Sequence, residues 1–375
     1  MPGVYISYPF CNQKCSFCNF ASGVAPSNDR LRYEAELLRE VQLHRWEWNP
    51  ETVYFGGGTP SLMSPALLRA LMQAIPRGHI TETTLECAPG TVTREAADQW
   101  RDCGINRISL GVQSFVIAEL RQTGRRHTAE IVERELQLLC EIGLSNINID
   151  LIAGLPHQTF ESWEHSIDWI EQLAPPHVSV YIFEVDEDSR LGKELLLGGV
   201  RYGAAAVPNQ DLVAEFYERA VARLAGMGLK RYEISNFARD GYRSRHNLKY
   251  WQLEPYIGFG LDAHSFDGHR RWSNPDSLDN YLSSDTEPSR GTASHTPVAR
   301  KPEALATPDP AEEHFYVGLR LMDGIEPSAS EWSRFAQPIE KWTRAGMLQH
   351  DGTRLRLTDR GVLLSNEIFQ EFVNV

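Results

Sequence analysis

The chain has 375 residues, enough for two or three domains at about 100 to 200 residues each, and its 42% hydrophobic content supports a true core. A formal net charge of -13 argues against a nucleic-acid backbone as partner, since such proteins present a basic face. Six cysteines without a framework pattern imply a reducing compartment; with no charged-plus-apolar leader and no run of about 18 apolar residues, the expected location is cytoplasmic, with no signal peptide and no membrane span.

Val4 to Ser7 alternates as a strand and leads directly into a loop carrying Cys11, Cys15 and Cys18. Soft thiolates select zinc, copper(I) or iron-sulfur clusters, and three of them leave a tetrahedral site one ligand short. A [4Fe-4S] cluster held by three cysteines keeps one iron open for a further ligand. Three core thiols, or a zinc loop completed by a distant residue such as His44, is the plainer alternative.

A helical pattern covers Asp29 to Trp48, and Thr52 to Phe55 reads as a second strand that breaks at Gly56-Gly57-Gly58-Thr59-Pro60. Ser64 then caps a helix with Pro65 at its first position. Thr83 to Cys87 is strand three, Thr93 caps a helix through Asp102, and Arg107 to Gly111 is strand four. A helix from Thr128 to Ile142, a strand from Asn146 to Leu151, a helix from Thr159 to Leu173 and a strand from His177 to Phe183 complete the alternation. Strands alternating with helices imply a parallel sheet with right-handed crossovers, and six units rather than eight predict a partial barrel open on one side.

Polar residues recur at the carboxyl ends of these strands. The cysteines follow strand one, the triple glycine follows strand two, Glu86 ends strand three, Gln113 follows strand four, Asp150 sits near the end of strand five and Glu184 follows strand six. Ligands of parallel α/β folds bind on that face, where loops from separate strands converge. Any one of these residues reads as a solvated loop residue; six in phase read as a site. Glycines after a strand let the backbone approach a ligand, although this run is neither G-x-G-x-x-G nor a phosphate loop.

Farther along, Asp211 to Met227 reads as an amphipathic helix and Arg231 to Phe237 as a strand, so the core extends past residue 260. Ser283 to Ala311 is rich in Ser, Thr, Pro and Ala, the composition of a connection between a first unit at 1–282 and a second at 312–375. The second unit reads as a helix from Glu312 to Met322, a helix from Trp332 to Ala345, a two-stranded wing from Met347 to Gln349 and Arg354 to Thr358, and a helix from Asp359 to Phe372. The pattern is winged-helix-like, but the tail is not basic and DNA is not an expected partner.

The C-x3-C-x2-C spacing with Phe17 before the last cysteine resembles the radical S-adenosylmethionine superfamily. The segments Tyr5 to Cys11, Gly56 to Pro60, Ser109 to Phe115, Asp150 to Pro156 and Tyr232 to Ala238 resemble the oxygen-independent coproporphyrinogen III oxidases and their relatives. The resemblance implies an α/β fold, a partial (β/α)6 radical SAM barrel followed by a small winged-helix-like α+β domain. It implies a [4Fe-4S] cluster on Cys11, Cys15 and Cys18, and S-adenosylmethionine on Tyr5, Phe17, Gly57, Gly58, Thr59, Glu86, Gln113, Arg125 and Asp150. Two residues beyond the third cluster cysteine the oxidases carry another cysteine, where this chain has Phe20.

His246-Asn247-Leu248-Lys249-Tyr250-Trp251 is similar to the H-N-x-x-Y-W signature of the HemW branch, heme chaperones related to the oxidases. That similarity implies heme at His246, Asn247, Tyr250 and Trp251. Imidazole is the commonest proximal ligand of heme iron, and flat aromatic surface suits a porphyrin. Arg231, Arg239, Arg243, Arg245 and Lys249 make a basic island suited to propionates. The plainer reading puts His246 in local hydrogen bonds and the aromatics in core. Some relatives carry a cysteine where this chain has Ser244, so no thiolate link to heme is expected there. His264 is a second ligand candidate, or a loop histidine with a structural bond. The expected function is a heme chaperone that passes heme to an apo-hemoprotein acceptor, with an electron donor serving the cluster. The alternative is an oxygen-independent coproporphyrinogen III oxidase, which decarboxylates porphyrinogen propionates through radical chemistry on S-adenosylmethionine.

Overall fold

The structure, a computed structural model, describes residues 2–283, 303–305 and 309–373. Its first half alternates strand and helix: β1 (Gly3–Tyr8), α1 (Ser27–Leu43), β2 (Thr52–Gly57), α2 (Pro65–Ala74), β3 (Glu82–Cys87), α3 (Arg94–Asp102), β4 (Arg107–Gln113), α4 (Ile117–Thr123), α5 (Ala129–Glu141), β5 (Ile147–Ala153), α6 (Phe160–Leu173) and β6 (His177–Ile182). β1 to β6 pair in parallel in that order. Val4, Ile6 and Tyr8, on one face of β1, are fully buried, as are Ile149 and Leu151 on one face of β5, because the helices cover that side of the sheet. The helices dock by apolar stripes at helical spacing, Tyr33, Leu37 and Val41 on α1 and Leu67, Leu68, Leu71 and Met72 on α2. Ser64 caps α2 by accepting the Leu67 N–H at 3.2 Å, and Thr93 caps α3 in the same way.

The sheet does not close. α7 (Arg190–Leu196) and α8 (Gln210–Gly226) lead to β7 (Lys230–Arg231) and β8 (Asn236–Ala238), and β8 runs antiparallel to β6. After α9 (Arg245–Trp251), β9 (Tyr256–Phe259) joins the opposite edge parallel to β1. β10 (His264–Phe266), β11 (Arg271–Ser273), α10 (Leu278–Ser283) and β12 (Glu303–Ala304) follow, giving one open 12-stranded sheet. The expected connection at Ser283 to Ala311 lies mostly outside the described residues, though β12 within it pairs with β11. α11 (Pro310–Tyr316), α12 (Ala329–Arg334), α13 (Ala336–Arg344), the β13 (Leu348–His350) and β14 (Leu355–Leu357) hairpin, α14 (Asp359–Leu363) and α15 (Ser365–Gln370) form the C-terminal portion. It packs on the extension of the sheet: Glu233 bridges Leu321, and Arg271 pairs with Glu313 at 2.7 Å.

Several expected elements come out differently. The helix over Asp29 to Trp48 stops at Leu43, since His44 turns extended and His44, Trp46 and Phe259 pack edge-on and tilted into one aromatic cluster. The strand over Arg231 to Phe237 is the β7–β8 hairpin instead, because the Glu233 carboxylate accepts the Ser235 N–H and the Asn236 amide and holds a turn. The helix over Trp332 to Ala345 breaks at Phe335, whose ring is fully buried against Phe315 and Phe372. The final helix likewise divides at Leu364.

Candidate cluster cavity and the pocket beside it

The cysteine loop leaves β1 and is pinned at both ends. Cys11 N–H donates to the Gly23 carbonyl at 2.9 Å and Gly23 N–H to the Pro9 carbonyl at 2.9 Å. Midway, Ser16 is buried; its N–H donates to the Thr123 carbonyl at 3.1 Å, and its carbonyl accepts from Leu191 N–H at 2.8 Å. The loop is therefore held between α4 and α7 while Cys11, Cys15 and Cys18 stay partly exposed. Burial pushes the Cys11 thiol up, and the other two thiols add to that by repulsion. Among the described residues no three His, Cys, Asp or Glu side chains form a group set to hold a metal ion; the three thiols line one wall.

That wall belongs to a cavity of about 630 Å³ at the carboxyl ends of the parallel strands. Besides the three cysteines it is lined by Phe17, Gly57, Gly58, Thr59, Glu86, Gln113, Arg125 and Asp150. Tyr5, grouped with them by sequence, faces the adjoining pocket instead. Gly57 takes φ +110°, and its N–H donates to Glu86 at 3.2 Å; the Tyr54 hydroxyl donates to the other carboxylate oxygen at 2.8 Å. Burial pushes Glu86 up to about 7 despite these two donors. Gly58 is also required by packing: a Cβ there would lie 2.6 Å from the Pro9 carbonyl carbon, at the root of the cysteine loop. Asp150 accepts from Asn148 at 2.7 Å and Ser109 at 3.3 Å, and burial raises its carboxyl.

Three polar atoms on this lining are buried and lack partners: Gln113 Oε1, Arg125 Nε and His127 Nε2. Gln113 also sits in the left-handed region at φ +71°, an unfavourable conformation for a residue with a Cβ. Burial and the Arg125 charge lower His127 to about 4, leaving its ring neutral. An acceptor, a guanidinium and two carboxylates around a cavity next to thiols fit an amphoteric small molecule carrying ammonium, carboxylate and hydroxyl groups. His127 and Tyr54 escaped the sequence reading. The run Arg125-Arg126-His127 was the available signal for the first; nothing local marked the second.

A second pocket of about 360 Å³ adjoins the first, sharing Phe20, Ser22 and Gly57 with it. Tyr5, Tyr250, Tyr256, Leu261, Asp262 and His264 form most of the rest of its wall. Phe20, which stands at the cysteine position of the oxidases, is 64% exposed on the shared partition.

The H-N-x-x-Y-W segment forms α9, and its residues part company. His246 is 1% exposed; Nδ1 lies 2.8 Å from the Thr52 hydroxyl and Nε2 2.8 Å from the Tyr250 hydroxyl, and its ring stacks on Tyr54. Burial lowers its pKa to about 3. Both ring nitrogens of His246 are therefore engaged inside the core, and the ring lines neither of the two pockets. Tyr250 alone of the four reaches the pocket. Trp251 packs under the Arg320 guanidinium at 4.3 Å, and Asn247 N–H donates to Ser244, the helix cap, at 3.3 Å. The expected basic island is also largely spent within the fold: Arg231 pairs with Asp359, Arg243 with Asp323, and buried Lys249 with Glu51 and Glu254.

Parallel β/α units, an open sheet and a cysteine loop over the carboxyl-end cavity define a radical SAM protein, and residues 5–170 match the Radical SAM superfamily while residues 305–364 match the HemN C-terminal domain. The chain is 31% identical to the heme chaperone HemW of Lactococcus lactis, over 98% of this chain and 96% of that protein. It is also 31% identical to the heme chaperone HemW of Bacillus subtilis, over 100% and 99%. A mitochondrial protein of Bos taurus, radical S-adenosyl methionine domain-containing protein 1, is 30% identical over 97% of this chain and 86% of its own length. The chain belongs to the HemW family of the radical SAM superfamily. Its fold is that of coproporphyrinogen III oxidase HemN from Escherichia coli, at TM-score 0.82 and 21% identity over 100% of this chain and 90% of that one. Among the described residues no helix is long and apolar enough to cross a membrane.

Proposed function

We propose that the chain is a heme chaperone, binding heme and passing it to an apo-hemoprotein acceptor in the cytoplasm. The observation that carries this reading is near end-to-end similarity to proteins named as heme chaperones, on a chain whose cluster cavity opens onto a separate aromatic pocket. Membership of the radical SAM superfamily implies a [4Fe-4S] cluster and S-adenosylmethionine. Cys11, Cys15 and Cys18 would hold the cluster, which would supply one-electron chemistry fed by an outside electron donor. Gly57, Thr59, Glu86, Gln113, Arg125 and Asp150 would hold S-adenosylmethionine, with Arg125 offering a guanidinium to its carboxylate and Glu86 and Asp150 accepting from amino or hydroxyl groups. Phe17 adds an aromatic face to the same wall.

The oxidase alternative comes from the shared sequence motifs; the fold shared at 21% identity adds no activity to it. Phe20 weighs against it, because a phenyl ring cannot pass a proton or an electron as a thiol does. The test is paired. Anaerobically reconstituted protein is titrated with heme, where a saturable Soret change at one heme per chain is expected. The same preparation is given coproporphyrinogen III, S-adenosylmethionine and a reductant, where formation of protoporphyrinogen IX would replace the chaperone reading with the oxidase.

A further inference from the structure

We infer that His264 is the heme-iron ligand and that heme seats in the aromatic pocket beside the cluster cavity, a placement that rests on the heme-chaperone reading above. A ligand to iron needs a nitrogen lone pair that can reach a bound molecule. His246 offers none, because its two nitrogens bond Thr52 and Tyr250 inside the core. His127 faces the cluster cavity. His264 lines the aromatic pocket with its side chain 53% exposed.

The chain is built to bring His264 there. Gly260 at φ +92° and Asp262 at φ +55° reverse the backbone between β9 and β10. Gly258 permits the return, since a Cβ on it would meet the His264 carbonyl oxygen at 2.3 Å. The turn is braced by Asn274, whose amide donates to the Gly260 carbonyl at 2.8 Å, and by the Tyr33 hydroxyl, which accepts the Leu261 N–H at 3.0 Å. Asp262 stands 3.8 Å from the His264 ring nitrogen Nε2.

The rest of the wall suits a porphyrin face. Tyr5, Tyr250, Tyr256, Leu261 and Phe20 present ring and aliphatic surface. Tyrosine is also a known heme ligand, but burial and the Glu86 charge push the Tyr5 and Tyr250 phenols well up, which disfavours phenolate binding. At about 360 Å³ the pocket lies near the lower end of the ~300–1,000 Å³ common for ligand sites, so part of the macrocycle stays in solvent. An acceptor can then approach heme before the chaperone lets go. In this arrangement the H-N-x-x-Y-W helix shapes the pocket, with His246 holding Tyr250, and does not touch iron.

The experiment compares wild type, His264→Ala, His264→Gly and His246→Gln, each with its cluster reconstituted. Heme titrations, Soret position and ferric EPR are read with iron and sulfide content. His264→Ala is expected to bind heme at least tenfold more weakly, with unchanged cluster content. His264→Gly is expected to regain the wild-type Soret and EPR signature on adding imidazole. His246→Gln is expected to keep that signature. Wild-type titration and spectra in both His264 variants would overturn the ligand assignment while leaving the chaperone reading intact. Absence of heme binding by wild type would overturn both.

Discussion

Nε2 of His246 and the hydroxyl of Tyr250 lie 2.8 Å apart, one turn along α9, while Nδ1 of the same ring reaches Thr52 on β2 at 2.8 Å. The two bonds tie the helix to the barrel and set the Tyr250 ring on the pocket wall. Glu82 adds to this seat by accepting the N–H groups of Arg245 and His246 at 3.0 and 2.9 Å.

His246→Ala therefore acts first on stability. It leaves a cavity and strands two hydroxyls, a loss of about 3 kcal/mol, readable as a lower denaturant midpoint in the cluster-free chain. A weaker effect is expected for His246→Gln, which can keep one of the bonds. The pH dependence has a definite sign. The ring titrates at about 3 in the fold against 6.5 in a free chain, so its contribution is complete above pH 6.5 and is lost as pH falls toward 3. Denaturation midpoints from pH 7 to pH 4 should fall less steeply in His246→Gln than in wild type. Parallel curves would show that the ring is not held neutral.

Glu86 has the opposite sign. Its folded value of about 7 lies above the ordinary glutamate value of 4.5, so stability is greatest at low pH and falls as pH rises between those two values. Glu86→Gln keeps a carbonyl for the Gly57 N–H but cannot ionise. The variant should match wild type near pH 4 and exceed it at pH 8 in thermal unfolding of the cluster-free chain. Equal melting temperatures at pH 8 would count against a buried charge at this position.

Gly58→Ala should disable the cysteine loop. The added methyl would enter the Pro9 backbone at 2.6 Å, and backbone cannot rotate aside as a side chain can. Loss of most reconstituted iron and sulfide is expected, with little change in far-ultraviolet circular dichroism. Full cluster loading would mean that the loop root can shift.

The six cysteines should divide cleanly. Cys15→Ser removes a residue of the cavity wall, whereas Cys140 is exposed on α5 and Cys103 is buried beyond α3. Reconstituted iron and acid-labile sulfide should collapse in Cys15→Ser and stay at the wild-type level in Cys140→Ser. A similar loss in both would point to a cluster held elsewhere.

Much of the site was legible because its signals are local. Three thiols within one loop, a glycine run directly after β2, and Ser64 and Thr93 as caps depend on neighbours a few residues away. Strand phase then placed Glu86, Gln113 and Asp150 on one face without long-range information. Tyr5 shows where this stops. Its strand was legible from local alternation, but its expected ligand contact came from the family resemblance alone, and its ring lines the neighbouring pocket, which shares Phe20 and Gly57 with the cluster cavity.

Residue types and spacing determined the α/β alternation, the three-cysteine loop and the family resemblance, since each is written in contiguous stretches. Only the tertiary structure decided that His246 turns inward and His264 outward. Side-chain direction there is set by partners distant along the chain: Thr52 and Glu82 seat one histidine in the core, and the strand return permitted by Gly258 presents the other to a pocket. A buried imidazole needs partners for both nitrogens; His246 finds Tyr250 within its own helix, but the Thr52 hydroxyl that completes the pair lies far off in the sequence.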